Sequence, residues 1–234
     1  HFSISTFKIQ LIGNFFSGLV ELAPDFTVQP DLANDWEVTN GGERITFDLV
    51  ENASFHNGEA FTAEDVKFSI SRVLTTDNPN KSKLSALQPI DDGGVNVVDD
   101  YTVEMNFTEA VAPIFVYLTP DVGLAGAIVS QGALEELGQE QFKITPVGTG
   151  PFRIESHELG STMKLVRHEG YHKTDGSGTQ LPYLDAINLE PISEHSTRIN
   201  ALQAGDLQFT NWVQSSQAAK VKGAQSLTLD QMMG

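Results

Sequence analysis

The segment HEGYH, which begins at His168, holds the residues best suited by type and spacing to do chemistry. It matches the pattern H-E-x-x-H, in which two histidines one helical turn apart bind zinc and the glutamate acts as a general base. Glu190 and Glu194 follow about 20 residues downstream, where a third zinc ligand would be expected. A zinc metallohydrolase built on His168, Glu169 and His172 is therefore one interpretation of the chain.

The sequence around this segment favours a different structure. The run MKLVRH, residues 163–168, is predicted to be a strand, Gly170 lies inside the motif, and a Gly/Ser turn follows at residues 176–178. A strand end cannot bring positions 168 and 172 to one metal ion as a helix does. We therefore interpret the match as a coincidence and expect no metal.

No other catalytic arrangement is indicated by the sequence. The pattern G-x-S-x-G does not occur, so no serine has the turn of a hydrolase nucleophile. The aspartate pairs at residues 91–92 and 99–100 lie in predicted turns, where aspartate bonds to the local backbone. Cysteine is absent, which excludes a disulfide, a thiolate zinc site and a cysteine nucleophile. We expect no catalytic residue and no cofactor.

The composition also limits the partners. The chain has 31 acidic and 14 basic residues among 234, for a net charge of −17. Affinity for nucleic acid comes largely from lysine and arginine, so nucleic acid and anionic lipid are not expected as partners. Hydrophobic residues make up 40% of the chain, enough for a packed core.

Two features suit binding better than catalysis. Gly148 and Gly150 precede Pro151 and an apolar strand, which is typical of a tight entry into a sheet. Glycine serves such an entry through a positive φ or through a close backbone approach. Trp212 follows a predicted strand at residues 207–210 and precedes a predicted helix, at the edge where open α/β sheets bind ligands. Its ring is either a flat apolar platform for a ligand or an ordinary packing residue.

Periodicity and turn signals predict the elements that position these residues. The predicted helices cover residues 7–22, 62–74, 113–118, 130–137, 193–204 and a stretch after residue 214. The predicted strands cover residues 45–49, 95–98, 102–107, 152–156, 162–167, 186–190, 207–210 and 226–229. The mixture indicates an α/β or mixed α+β fold.

The second predicted helix has the clearest signals. Thr62 precedes it as a cap, with Asp65 three residues later in the manner of a capping box. The helical spacing predicts an inner, core-facing side formed by Ala63, Val66, Ile70, Val73 and Leu74.

Four stretches in sequence order resemble a known family. They are LANDWEVTNGGERITFDL, ENASFHNGEAFTAEDVKFSISRVL, VGTGPFRIESHELGSTMKLVRHEGYH and LPYLDAINLEPISEHSTRINALQAGDLQFT. Together they resemble the peptide/nickel class (family 5) of extracellular solute-binding proteins, the substrate-binding components of ABC importers. The chain departs from the family at His172, where the family usually has tryptophan.

The resemblance implies a periplasmic-binding-protein-like fold of class II, with two lobes around a cleft. Lobe I would consist of residues 1–18 and 148–234, interrupted by an inserted subdomain at residues 19–147. Lobe II would lie outside this chain, which we expect to be a fragment of a longer protein. In the family, two segments of lobe I face the cleft. They correspond here to Ser5, Thr6, Phe7, Asn211 and Trp212, the predicted ligand-binding residues.

The function that the resemblance implies is binding without catalysis. The protein would capture oligopeptides or dipeptides outside the cytoplasmic membrane and deliver them to an ABC permease by closure of the two lobes. We expect a monomer in the periplasm or outside the cell, with or without a lipid anchor, in a bacterium or an archaeon. The zinc metallohydrolase is the alternative. Within the family, the sequence leaves dipeptides, longer peptides, nickel complexes, sugars and opines open as ligands.

Overall fold

The structure is a computed structural model that describes residues 6–75, 78–89, 92–120, 125–158, 161–210, 213–222 and 227–228, without the side chains of residues 6–10 and 220. The helices in these ranges are α1 (Thr6–Phe15), α2 (Ala63–Thr75), α3 (Ile114–Tyr117), α4 (Gln131–Phe142), α5 (His195–Ala204) and α6 (Ser215–Lys222). The strands are β1 (Val20–Leu22), β2 (Val28–Pro30), β3 (Ala33–Thr39), β4 (Arg44–Leu49), β5 (Val95–Asp99), β6 (Thr102–Asn106), β7 (Phe152–His157), β8 (Met163–Arg167) and β9 (Ala186–Leu189). None of the described helices combines the length and the apolar character needed to cross a membrane.

The strands form three sheets. The largest is antiparallel, with the strand order β3-β4-β6-β5, and the others are the pair β1-β2 and the sheet β7-β8-β9. In β4, Ile45, Phe47 and Leu49 are buried while the residues between them are not, as the alternation predicted. The predicted hairpin across residues 99–100 is also confirmed, because β5 pairs with β6.

The chain divides into two compact units. The first consists of His1–His157 with Met163–Asn188, and the second of Glu158–Thr162 with Leu189–Gly234. In the second unit α5 packs on α6, with Ile199 and Val221 buried. The first unit contains a continuous apolar core around the four-stranded sheet, α2 and α3. The division into lobe I (1–18 and 148–234) and an insertion (19–147) stays a prediction.

Helix α2 begins where the sequence predicted it. The Asp65 carboxylate accepts hydrogen bonds from the Thr62 backbone N–H at 3.0 Å and from the Thr62 hydroxyl at 3.2 Å. This is the half of a capping box in which the third helical residue reaches back to the cap. The buried residues of α2 are Ala63, Val66, Ser69, Ile70 and Val73, so the predicted face is confirmed except that Leu74 is only partly buried.

Predicted elements near both ends of the chain differ from the structure. The first helix ends at Phe15 rather than continuing to residue 22, and Val20 already belongs to β1. The chain leaves the helix because Gly18 bonds outside it: its N–H donates to Asp31 and its carbonyl accepts from Leu32. The predicted strand at residues 207–210 is wrong, since this stretch has no strand partner among the described residues. The predicted strand at residues 226–229 lies outside the described residues except for 227–228, which are not in a strand.

Helix α4 continues beyond the predicted end at Leu137, but with a break. Its cap is Ser130, as predicted, whose hydroxyl oxygen accepts from the Ala133 N–H at 2.9 Å. Gly138 has a φ of +70°, which interrupts the helix at the residue after Leu137. The helical turn after Gly138 continues to Phe142.

The inner face of α2 should respond to truncation more strongly than its flank. Ile70→Ala should lower the free energy of unfolding by about 2–4 kcal/mol, because Ile70 is fully buried and a cavity would remain. Phe68→Ala should cost less, since Phe68 is only partly buried against a smaller cluster that includes Phe142. Denaturant unfolding with Glu64→Ala as an exposed control measures both. A larger loss for Phe68→Ala than for Ile70→Ala would contradict this assignment of the face.

Candidate functional site

The five predicted ligand-binding residues remain a prediction. Ser5, Asn211 and Trp212 lie outside the described residues. Thr6 and Phe7 are the first two residues of α1, and their side chains are outside the description. The structure does describe the surroundings of two other segments discussed from the sequence. They are the glycine segment at residues 148–150 and the histidine segment at residues 168–172.

The glycine segment packs directly against the end of α1. The Gly150 N–H donates to the Phe15 carbonyl oxygen at 3.0 Å. A Cβ on Gly148 would lie 2.1 Å from the same oxygen, and a Cβ on Gly150 would lie 2.6 Å from the Phe15 carbonyl carbon. Neither glycine has a positive φ. Close backbone approach is therefore the reason for both glycines, and of the two explanations offered by the sequence this one is confirmed.

Two histidines hold the same segment from the other side. His56 Nε2 lies 3.1 Å and His168 Nδ1 lies 3.2 Å from the Gly150 carbonyl oxygen. Because a carbonyl only accepts, each of these ring nitrogens carries the proton. The second nitrogen of His56 then accepts from the Gly148 N–H at 3.4 Å. The rings meet edge to face, with centroids 5.0 Å apart.

Burial keeps both rings neutral at pH 7. It lowers the pKa of His56 from 6.5 to about 4, which the hydrogen bond to Gly150 only partly offsets. Burial also lowers the pKa of His168. A neutral imidazole has one donor and one acceptor, and in His56 both are used on the glycine segment. These histidines hold the backbone in place and offer no charge to a ligand.

A buried charged cluster holds the next part of the histidine segment. Asp31 accepts from the Gly18 N–H at 3.0 Å and from His172 Nε2 at 3.1 Å, and it pairs with Lys173 Nζ at 2.9 Å. Lys173 also pairs with Glu21 at 2.6 Å. Burial by itself raises the pKa of Asp31, but the hydrogen bond from His172 and the charge of Lys173 outweigh it and lower that pKa.

The geometry of the H-E-x-x-H pattern is not that of a helix. Strand β8 ends at Arg167, directly before His168, as the sequence predicted. His168 and His172 bond to different groups, the Gly150 carbonyl and the Asp31 carboxylate. Glu169 is exposed and pairs with Arg167 at 3.2 Å. Within the described ranges, no three His, Asp or Glu side chains are placed to hold one metal ion.

Two contributors to this arrangement were missed by sequence reasoning. His56 lies 94 residues before Gly150, and Asp31 lies 141 residues before His172. No periodicity or spacing rule connects positions so far apart. The one sequence feature that pointed to His56 was its position directly before the predicted turn at Asn57 and Gly58. That position indicates a constrained backbone, but it does not indicate which group the imidazole ring contacts.

Comparison with known proteins shows which protein family the chain belongs to. Residues 27–232 match the sequence profile of the bacterial extracellular solute-binding proteins, family 5 Middle. The chain belongs to this family. The match spans most of the described residues and includes Asp31, His56, the glycine segment and the histidine segment. The resemblance stated from the sequence is thereby confirmed.

Alignments with family 5 relatives include most of this chain but less than half of each relative. The glutathione-binding protein GsiB of Pectobacterium atrosepticum is 29% identical over 216 residues, which is 92% of this chain and 40% of that protein. The GsiB of Salmonella paratyphi A is 30% identical over the same lengths. The chain therefore spans about 40% of the length of the curated relatives it matches.

Solved family 5 structures share the fold. The binding protein AgaA of A. tumefaciens R10, in complex with agropinic acid, has a TM-score of 0.82 at 26% identity and matches 94% of this chain and 42% of its own. OppA of Haemophilus influenzae, in complex with the peptide RPPGFSPFR, has a TM-score of 0.76 at 27% identity and matches 92% of this chain and 44% of its own. The predicted mixed α/β fold of the periplasmic-binding-protein type is confirmed.

The close approach of the glycine segment to α1 can be tested with two matched substitutions. Gly148→Ala should lower the free energy of unfolding by about 3 kcal/mol or more, because the new Cβ would overlap a backbone oxygen that cannot move without displacing α1. Gly176→Ala should change it by less than about 0.5 kcal/mol, because that Cβ would meet no atom within 4 Å. Equal effects of the two in denaturant unfolding would show that the segment tolerates separation from α1.

The lowered pKa of His56 predicts acid sensitivity. Between pH 6.5 and about 4 the unfolded chain binds a proton at His56 that the folded chain does not. The contribution of neutral His56 to the free energy of unfolding is therefore fully present above pH 6.5. It is lost as the pH falls from 6.5 to about 4, which lowers the free energy of unfolding by about 3 kcal/mol. His168 acts in the same direction. Unfolding free energies measured from pH 7 to 4 should decrease for the natural protein and decrease less for His56→Gln.

The control for this pH series is His157→Gln, because His157 is exposed on β7. That variant should keep the pH dependence of the natural protein. An unchanged slope in His56→Gln would show that His56 does not carry the acid sensitivity.

Proposed function

We propose that this chain forms part of the ligand-binding body of an ABC importer's substrate-binding component, which captures oligopeptides or dipeptides. The observation that carries the proposal is the family match over residues 27–232. Relatives named for glutathione binding and a similar structure in complex with the peptide RPPGFSPFR favour peptides among the ligand classes left open by the sequence.

The proposed cleft residues are Ser5, Thr6 and Phe7 at the start of α1, with Asn211 and Trp212 before α6. The described contacts bear on the position of α1, the helix that begins with Thr6 and Phe7. The Gly150 N–H holds the end of α1 by donating to the Phe15 carbonyl, and the two histidines hold the glycine segment through the Gly150 carbonyl. A helix of 10 residues whose last turn is fixed carries its first residues with it.

The mechanism we propose is closure of two lobes around the ligand. A cleft that closes from both sides encloses most of a ligand's surface, and the closed form presents a defined face to the permease. Lobe I would be residues 1–18 and 148–234, and the insertion residues 19–147. The protein would act as a monomer, without catalysis, in the periplasm or outside the cell. The zinc metallohydrolase gains no support, since His168 and His172 bond to different groups.

The two tryptophans of the chain provide a matched test in the full-length protein. Trp212→Ala should weaken peptide binding by about 1–2 kcal/mol, through loss of apolar contact with the ligand. Trp36→Ala should leave the affinity unchanged and lower stability instead, because Trp36 packs against Phe115 with ring centroids 5.3 Å apart. Calorimetry with a mixed peptide library and thermal unfolding measure the two quantities.

The pattern of the two variants decides the assignment. Unchanged affinity in a folded Trp212→Ala protein would show that Trp212 does not contact the ligand. Absence of binding to any peptide by the natural full-length protein would overturn peptides as the ligand class.

A further inference from the structure

A small cavity lies in the first unit, beside the glycine segment. Its volume is about 220 Å³. Its apolar wall consists of Leu137 from α4, Pro146 and Val147 from the segment before the glycines, and Ile154 from β7. Arg153 and Asn57 are polar groups at the same cavity. It shares no residue with the five predicted cleft residues.

The apolar wall is open to solvent. Leu137 is 37% exposed, and Ile144, near it at the end of α4, is 46% exposed. Ligand sites combine such apolar walls with a few polar groups that fix orientation. At about 220 Å³ the cavity suits one small aliphatic side chain with a carboxylate next to it.

Arg153 supplies a cation that nothing in the described part of the chain neutralises. Arg44 pairs with Glu104 and Arg167 pairs with Asp185, whereas no described group bonds to the guanidinium of the exposed Arg153. This is unexpected in a chain with 31 acidic residues. The guanidinium presents a planar set of donors that matches a carboxylate with two parallel hydrogen bonds.

The neighbouring imidazole does not compete for an anion. Burial, with a smaller contribution from the charge of Arg153, lowers the pKa of His56 to about 4, so His56 is neutral at pH 7. Its two nitrogens are already bonded to the glycine segment. Arg153 is therefore the anchor that the cavity offers to an anion.

We propose that this cavity binds a short branched aliphatic carboxylate, with the aliphatic group against Leu137, Val147 and Ile154 and the carboxylate on Arg153. The same chemistry is presented by a free branched-chain acid and by the C-terminal leucine of a peptide. Since no cleft residue takes part, the site is independent of the proposed peptide cleft.

The test is a titration of the full-length, methyl-labelled protein followed by NMR. Addition of 4-methylpentanoate should shift the methyl signals of Leu137, Val147 and Ile154 in a saturable manner. The uncharged 4-methylpentanamide should bind at least about tenfold more weakly, because it lacks the charge that Arg153 recognises. N-acetyl-leucine distinguishes the two sources: tighter binding than the free acid identifies a peptide C-terminus, and equal or weaker binding identifies the free acid.

Substitutions separate this site from the cleft and from general charge effects. Arg153→Gln should weaken binding of 4-methylpentanoate at least about tenfold. Arg44→Gln removes the same charge on β4, and Trp212→Ala changes a predicted cleft residue, so neither should alter this binding. Absence of saturable shifts, equal binding of the amide, or unchanged binding in Arg153→Gln would each overturn the proposal.

Discussion

Hydrogen bonds to one backbone carbonyl, that of Gly150, fix the glycine segment at residues 148–150, on which the contacts with the end of α1 and with two distant histidines depend. That oxygen accepts from two buried, neutral imidazoles, while the N–H of the same residue donates to the end of α1. A carbonyl oxygen has two lone pairs, and here both are used. The arrangement requires glycines at positions 148 and 150, because a Cβ at either one would overlap the backbone of α1. It also requires low pKa values at the histidines, since a charged ring would be costly to bury.

The cluster around Asp31 serves the neighbouring segment by a different interaction. Its carboxylate is buried and receives a backbone N–H, an imidazole N–H and a lysine ammonium. Such a group is costly to bury alone, and removal of one partner commonly costs about 3–5 kcal/mol, because a charge is left unpaired in the interior. Within this cluster His172 donates from Nε2 to the same carboxylate oxygen of Asp31 that pairs with Lys173.

Local structure in this protein follows from local sequence, whereas the long-range contacts of His56 and Asp31 do not. Helix α2 was predictable because Thr62, Asp65 and the spacing of Val66, Ile70 and Val73 all lie within one helix. The end of α1 was not predictable from its own residues, because an apolar stripe continued to Leu19 and the helix stops where Gly18 finds partners near Asp31. The same limit applies to His56 and Asp31, whose partners lie 94 and 141 residues away. The segment at 168–172 could be assigned to a strand end from its sequence, but its hydrogen-bond partners could not.

These contacts bear on how the predicted parts of the protein would move. Asp31, His56 and Glu21 lie in the predicted insertion, whereas Gly150, His168, His172 and Lys173 lie in predicted lobe I. The pairs His56–Gly150, Asp31–His172, Asp31–Lys173 and Glu21–Lys173, and the hydrogen bond from Asn52 to the His172 carbonyl at 3.3 Å, therefore join the insertion to lobe I. Residues 19–147 also fall in one compact unit with residues 148–157 and 163–188. An interface with a buried charged cluster and buried hydrogen bonds does not open without leaving those groups unpaired, which is costly in a low-dielectric interior. The insertion would therefore move with this part of lobe I as one body, and closure around a ligand would use a hinge elsewhere in the full-length protein.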